Sequence, residues 1–285
     1  AALSMTLKTI EFAKERQAIP FAVFKPTGLG RLDLYEKVGA KVTLTSSEQD
    51  EWDRVVDRFD LVCKTAQFKD VALLIDAEES WMQDAADDLV AQMMQKYNKE
   101  KAIVFNTLQM YRWDRLDYLK QLHQKAKQEG FYIGMKIVRG AYMEKENARA
   151  EAKGYPTPIC PSKEATDANY DAAVLYMMEH LETMAIFAGT HNESSSYALM
   201  NLMQERNIKT NDERIWFGQL YGMSDNISYN LAANRFNVAK YLPFGPVKDV
   251  MPYLIRRAEE NTSVAGQTSR ELSMLKAERN RRKAL

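Results

Sequence analysis

A chain of 285 residues, 46% hydrophobic and 27% charged, can bury a large core and is too apolar for disorder. Lysine plus arginine and aspartate plus glutamate both number 39, so the net charge is zero and no basic excess points to nucleic acid as an obligatory partner. Two cysteines (Cys63, Cys160) and three histidines (His123, His180, His191), without CxxC or HExxH spacing, argue against a disulfide framework and a metal site, and no bilayer-length apolar run or signal peptide is visible.

The chain opens in a helix-like segment, Thr6 to Gln17, which suggests a piece of a longer parent. Next comes a short apolar run, Pro20 to Lys25, closed by Pro26-Thr-Gly-Leu-Gly30. A polar helical region from Ser47 to Thr65 precedes a strand, Val71 to Asp76, and a helix from Ser80 to Asn98. Ala102 to Thr107 reads as a buried strand, Arg115 to Glu129 as a helix stopped by Gly130, and Phe131 to Val138 as a strand meeting Arg139-Gly-Ala-Tyr142. A proline-bearing loop, Gly154 to Pro161, leads to helix Ala165 to Glu182, strand Met184 to Ala188 and helix Ser195 to Glu205. Strand Ile215 to Leu220, helix Ser228 to Ala233 and strand Val238 to Leu242 follow.

Strands alternate with helices, and the strands are continuous apolar runs, so the sheet should be parallel and covered by helices. Seven strands are counted where a closed (β/α)8 barrel has eight; the simplest account puts one before residue 1. A doubly wound open sheet competes, but no GxGxxG follows the first strand, and the barrel is favoured. The expectation is a single domain over residues 1–285, ending in a charged, amphipathic helical tail from residue 266.

In barrels the C-terminal strand ends carry the chemistry. Here those ends hold Lys25, Asp76, Asn106, Lys136 with Arg139, Thr190-His191-Asn192, Gln219-Leu220 and Tyr241. Each has a plain structural reading, such as a helix cap for Asp76 or a satisfied loop histidine for His191. Together they outnumber what core packing needs. Beyond Tyr241, Pro243, Gly245 and Pro246 break the chain before a helix with Asp249 as N-cap and Pro252 in its first turn. Val247, Val250, Met251, Leu254, Ile255 and Ala258 share one arc of that helix; Tyr253, Arg256, Arg257 and Glu260 lie opposite. Composition alone favours a solvated polar face, but an arginine pair also suits bidentate capture of a carboxylate.

Leu74-Ile-Asp-Ala-Glu-Glu79, Lys136-Ile-Val-Arg-Gly-Ala-Tyr142, Gly189-Thr-His-Asn192, and Tyr241-Leu-Pro-Phe-Gly with Tyr253-Leu-Ile-Arg-Arg-Ala-Glu-Glu-Asn261 resemble proline dehydrogenases, the monofunctional FAD-dependent form above all. The resemblance implies a (β/α)8 barrel with its last helix over the strand ends and FAD in its mouth. It implies oxidation of L-proline to Δ1-pyrroline-5-carboxylate, with electrons passed to ubiquinone or menaquinone at a membrane that the protein contacts peripherally, on the bacterial inner membrane or the matrix side of the mitochondrial one. By matching position, Arg256, Arg257 and Lys25 would grip the substrate carboxylate, Tyr241 and Leu220 would touch its ring, and Asp76 is the active-site aspartate. Asn106 and Lys136 match flavin-ring positions where many bacterial relatives carry Gln and Arg, and Gln219 joins them among the cofactor contacts. Val138, Gly140, Ala141 and Tyr142 match the segment near the flavin. Lys163, Thr166, Thr190, His191, Asn192 and Glu260 match contacts to its ribityl, phosphate and adenosine parts. Met143 stands where long bacterial members often have Trp.

The electron donor must be the free amine, so activity should rise as the substrate ammonium deprotonates. Tyr241 leaves little room for a 4-hydroxyl, which favours proline over hydroxyproline. A hydroxyproline dehydrogenase, a non-catalytic barrel binding module and a lyase using Lys25 as a Schiff-base amine are the alternatives. Flavin colour separates the flavoenzymes from the other two. On this reading Arg256 and Arg257 are buried beneath a lid helix anchored from the side by Val250, Leu254 and Ala258.

Overall fold

The computed structural model describes residues 2–243, 247–248, 250–251, 253–255 and 265–283. Helix α1 (Ala2–Lys14) precedes strand β1 (Phe21–Phe24), followed by α2 (Leu32–Gly39), α3 (Ser46–Lys69), β2 (Ala72–Ile75) and α4 (Ser80–Tyr97). Then come β3 (Val104–Gln109), α5 (Arg115–Glu129), β4 (Ile133–Val138), α6 (Met143–Lys153), α7 (Lys163–Glu179) and β5 (Met184–Gly189). Helix α8 (Glu193–Glu205), β6 (Ile215–Leu220), α9 (Asp225–Ala233), β7 (Val238–Tyr241) and a C-terminal helix (Ala265–Lys283) complete the order.

All seven expected strands form, every pairing is parallel, and their order in the sheet is their order in the chain. That is (β/α)8-type topology, with no ladder joining β7 to β1 among the described residues. The sheet curls strongly. The Phe21 ring of β1 lies 6.0 Å from Phe105 of β3, 5.1 Å from Phe187 of β5 and 5.0 Å from Trp216 of β6, all edge-on. A flat sheet would keep these strands several strand spacings apart.

The period of two along each strand sorts the side chains. Leu74, Phe105, Ala185 and Phe187 fill the concave interior, flanked by Phe21, Val23, Trp216 and Ala239. The alternate positions, among them Leu73, Val104, Met135, Ile186 and Phe217, form the larger core beneath the helices. Local chemistry fixes the helix limits. Thr45 and Glu48 make a reciprocal capping box at the start of α3, and Gly130, at φ 67°, ends α5.

Two helices depart from the sequence reading. Helix α2 is short, and α6 buries only Glu146 and Ala150, so neither carries a long apolar period. The described residues between 247 and 255 are helical. There Met251, Leu254 and Ile255 are 43%, 46% and 50% exposed, so the expected apolar anchor at Leu254 is corrected: that residue is only about half-covered. Asp249, Pro252, Arg256, Arg257, Ala258 and Glu260 lie outside the described residues, as does the expected burial of the arginine pair.

Candidate active site

Interior-facing positions at the C-terminal strand ends converge on one carboxylate. Asp76, one residue past β2, is buried. Its Oδ2 accepts from Lys25 Nζ at 3.0 Å and from the Tyr241 hydroxyl at 3.0 Å, while its Oδ1 accepts from Lys136 Nζ. Strands β1, β2, β4 and β7 each contribute to this contact, or the residue just beyond their ends does. The Lys136 ammonium also sits 5.6 Å from the Tyr241 ring centroid, a cation–π distance.

The charges follow from these contacts. Burial opposes ionisation of Asp76, but Lys136 and Lys25 outweigh it and hold the carboxyl well below the usual carboxylate range. Burial also works against the Lys25 ammonium; Asp76, Tyr142 and Glu78 overcome it and push the group above an ordinary lysine. Lys136 goes the other way. Its side chain is only 8% exposed, and the desolvation of that burial pulls its pKa down despite Asp76. Burial and Asp76 together raise the Tyr241 phenol, which stays protonated as the donor to Asp76. A carboxylate that already accepts from two ammoniums and a phenol is a poor proton acceptor, so Asp76 organises the cations rather than acting as a base. Two lysines face this one carboxylate, and Lys25, with its side chain 47% exposed, is the more accessible of them.

The loops around the cluster are tied by polar contacts. Glu78 accepts from the Thr27 amide at 2.9 Å and its hydroxyl at 2.8 Å, fixing the turn after β1 to the turn after β2. Arg139, just after β4, donates to Asp167 at 2.5 Å, Thr190 Oγ1 at 2.8 Å and Ser195 Oγ at 3.0 Å, and stacks 4.5 Å from the Tyr170 ring centroid. It thereby ties β4 to the first turns of α7 and α8.

The remaining expected residues fall into two groups. Leu220 pairs with Tyr241 in register and shares its interior orientation, as does Val138 beside Gln109. Gly140, at φ 134°, lies where a Cβ would come within 2.5 Å of the Tyr111 ring; Ala141 is exposed and Tyr142 half-buried. Lys163 is exposed and donates to Asp167 at 2.6 Å, and Thr166 Oγ1 donates to the Ser162 carbonyl at 3.1 Å. Thr190, His191 and Asn192 form the turn after β5. Asn192 Oδ1 caps α8 by accepting from Ser195 N, and His191 Nδ1 is 3.0 Å from Ser224 Oγ.

Asn106 and Gln219 belong elsewhere. Both have the outward parity of their strands, which corrects their expected position at the flavin. Asn106 Nδ2 donates to Asp87 of α4 at 2.8 Å and to the Tyr118 hydroxyl of α5 at 3.3 Å. Gln219 Nε2 donates to the Thr190 carbonyl at 3.2 Å, and its Oε1 accepts from Ser228 of α9 at 2.9 Å. The inward positions of β3 near the mouth are instead Thr107 and Gln109, both buried. Thr107 pairs with Lys136 in register and donates to the Ile75 carbonyl at 2.7 Å, one residue before Asp76. Counting in twos from the Phe105 position selects both residues, so the signal lay in the strand period.

Comparison with known proteins places this geometry. The family model described as proline dehydrogenase matches residues 2–270. Carbapenem antibiotics biosynthesis protein CarD of Pectobacterium carotovorum subsp. carotovorum is 37% identical over 282 residues, covering 99% of this chain and 72% of that protein. Human mitochondrial proline dehydrogenase 1 is 40% identical over 241 residues, covering 84% of this chain but 40% of its own length. Among solved structures, proline utilization A from Bdellovibrio bacteriovorus, inactivated by N-propargylglycine, superposes with a TM-score of 0.80 at 22% identity. That match covers 93% of this chain and 28% of the other, and it supports the fold. With a family match over nearly its whole length and a barrel whose strand ends meet on Asp76, this chain is a member of the proline dehydrogenase family.

Proposed function

We propose that the protein oxidises L-proline to Δ1-pyrroline-5-carboxylate with FAD as its cofactor, and that the electrons pass on to ubiquinone or menaquinone. The observation that carries this reading is the Asp76 cluster: a buried carboxylate holding Lys25, Lys136 and Tyr241 at the mouth of a barrel of this family. Such a site offers a cation for an amino-acid carboxylate and an aromatic wall for a small ring.

The donor set also suits FAD. The N-termini of α7 and α8 lie side by side, joined by Arg139 and flanked by Lys163, Thr166, Thr190, His191 and Asn192, an environment that favours a diphosphate. Lys136, with Val138, Gly140, Ala141 and Tyr142 behind it, is the buried cation suited to the flavin ring. When bound, FAD supplies the two-electron acceptor. The chain's part is to position: Lys25 with Arg256 and Arg257 binds the carboxylate, Tyr241 and Leu220 hold the ring, and Asp76 fixes both lysines. Glu260 is assigned to FAD by its place in the motif.

The test is direct. Purified protein supplemented with FAD should be yellow, should bleach anaerobically on adding L-proline, and should yield a product trapped as Δ1-pyrroline-5-carboxylate. A protein that takes up no FAD overturns the reading. Trans-4-hydroxyproline should react more slowly, because of the Tyr241 ring. Arg257→Met should raise the KM for proline by the equivalent of about 2–5 kcal/mol, the cost of breaking a desolvated charge contact. No described helix is long and apolar enough to cross a membrane, and the proposed meeting with quinone is peripheral. Relatives named as mitochondrial align over 84% of this chain, which supports the mitochondrial alternative to a bacterial inner-membrane location. A second reading comes from the antibiotic-biosynthesis relative, which aligns over 99% of the chain: the same oxidation would serve a biosynthetic route.

A further inference from the structure

Helix α6 is joined to the barrel in an unusual way. Of its residues only Glu146 and Ala150 are buried, so apolar packing does little to hold it. What holds it is charge. Lys145 donates to Glu79 at 2.9 Å, Arg149 pairs with Glu36 of α2 and lies 4.2 Å from the Trp81 ring centroid, and Lys153 comes within 3.7 Å of Glu36. At the centre is Glu146, fully buried, whose carboxylate accepts from the Ser80 amide at 2.6 Å and the Ser80 hydroxyl at 2.5 Å.

Those two bonds matter because Ser80 is the first residue of α4, and the residue before it, Glu79, makes no side-chain cap. A helix start leaves amide donors without an intrahelical acceptor, and an anion there is favoured by the helix dipole. Glu146 therefore caps α4 from another helix. Four residues back, the first turn of α6 closes on Tyr142, whose carbonyl accepts from the Glu146 amide at 2.9 Å. Tyr142 follows the end of β4 and precedes that helix: Lys145 lies 5.5 Å from its ring centroid and donates to Glu79, three residues past Asp76.

We infer that Glu146 is a positioning residue of the active site: its buried carboxylate fixes α6 to the N-terminus of α4 and so sets the position of Tyr142 in the segment that follows β4. The inference rests on the proposed oxidation only for its kinetic consequence; the anchoring is independent of it. A purely structural Glu146 would lower stability and leave the folded enzyme's KM unchanged.

The experiment compares Glu146→Gln and Glu146→Ala with the parent chain, loaded with FAD, by hydrogen exchange of peptides spanning 140–154, by thermal unfolding and by steady-state kinetics on L-proline. Faster exchange in 140–154 and at the start of α4, where Ser80 loses its acceptor, is expected, larger in the alanine variant. The KM for proline should rise about tenfold, more than kcat falls, since ground-state positioning is what is lost. The glutamine variant, which keeps one acceptor oxygen, should recover part of both effects. Exchange in 140–154 that matches the parent overturns the inference, as does a lower melting temperature with unchanged KM. Should Glu146→Ala fail to fold, Arg149→Met, one turn along the same face, loosens the same helix and must show the same faster exchange in 140–154. If the parent chain itself does not oxidise proline, the functional reading fails, while the exchange result still decides the anchoring.

Discussion

At Asp76 a single carboxylate carries three hydrogen bonds from residues as far apart as Lys25 and Tyr241, and its removal has a calculable cost. Asp76→Asn would leave Lys136 buried without a counter-charge, and breaking one side of a buried ion pair costs about 3–5 kcal/mol. Urea unfolding should register that loss, and turnover on proline should fall with it. His123 is a second informative residue, at the opposite end of the helix layer. It is buried, with Nδ1 2.8 Å from the Tyr176 hydroxyl, Nε2 3.3 Å from the Thr183 hydroxyl and the His180 ring centroid 4.5 Å away. Burial first, then Lys127 and His180, lower its pKa to about 4, against the partial opposition of Glu182. The unfolded chain, near pKa 6.5, then binds the proton more readily. Its contribution to stability is complete above about pH 6.5 and lost as the pH falls toward 4. Unfolding measured across this window should lose part of its pH slope in His123→Gln.

At the scale of elements, the interior of the sheet is fitted around aromatic rings. A Cβ at Gly218 would come within 2.2 Å of the Phe187 ring, and one at Gly134 within 2.6 Å of Phe105. Gly218→Ala should therefore destabilise the protein by about 1–3 kcal/mol through overpacking. Adding Phe187→Leu should restore part of the loss in the same melting assay. Strands were legible because their apolar runs are bounded by turn residues, and all seven were found. Helix α6 was not, because its contacts are ionic and leave no apolar period to read. The site was partly legible for a related reason. Lys25, Asp76, Lys136 and Tyr241 have inward parity, whereas Asn106 and Gln219 sit one residue out of phase and face the helices. Assigning a role from proximity to a strand end, without counting parity, misplaces such residues by half a sheet. The mutual contact of the four residues was beyond sequence reasoning, since it depends on how far the sheet curls.

For the whole molecule, equal numbers of acidic and basic residues put the isoelectric point near 7.1. Colloidal repulsion is weakest where net charge vanishes. Light scattering should therefore show a solubility minimum near neutral pH, relieved on moving about two pH units to either side.

The hydrogen bond from Tyr241 to Asp76 spans 165 positions of the chain, while neighbouring strands pair over far shorter separations. Loop closure makes such a contact slow to form, and each strand pair can mature before it. The catalytic mouth is thus a product of the last stage of folding, when the two ends of the sheet meet. In a refolding experiment, helical signal would return first, and the capacity to bind substrate would follow with its own slower clock.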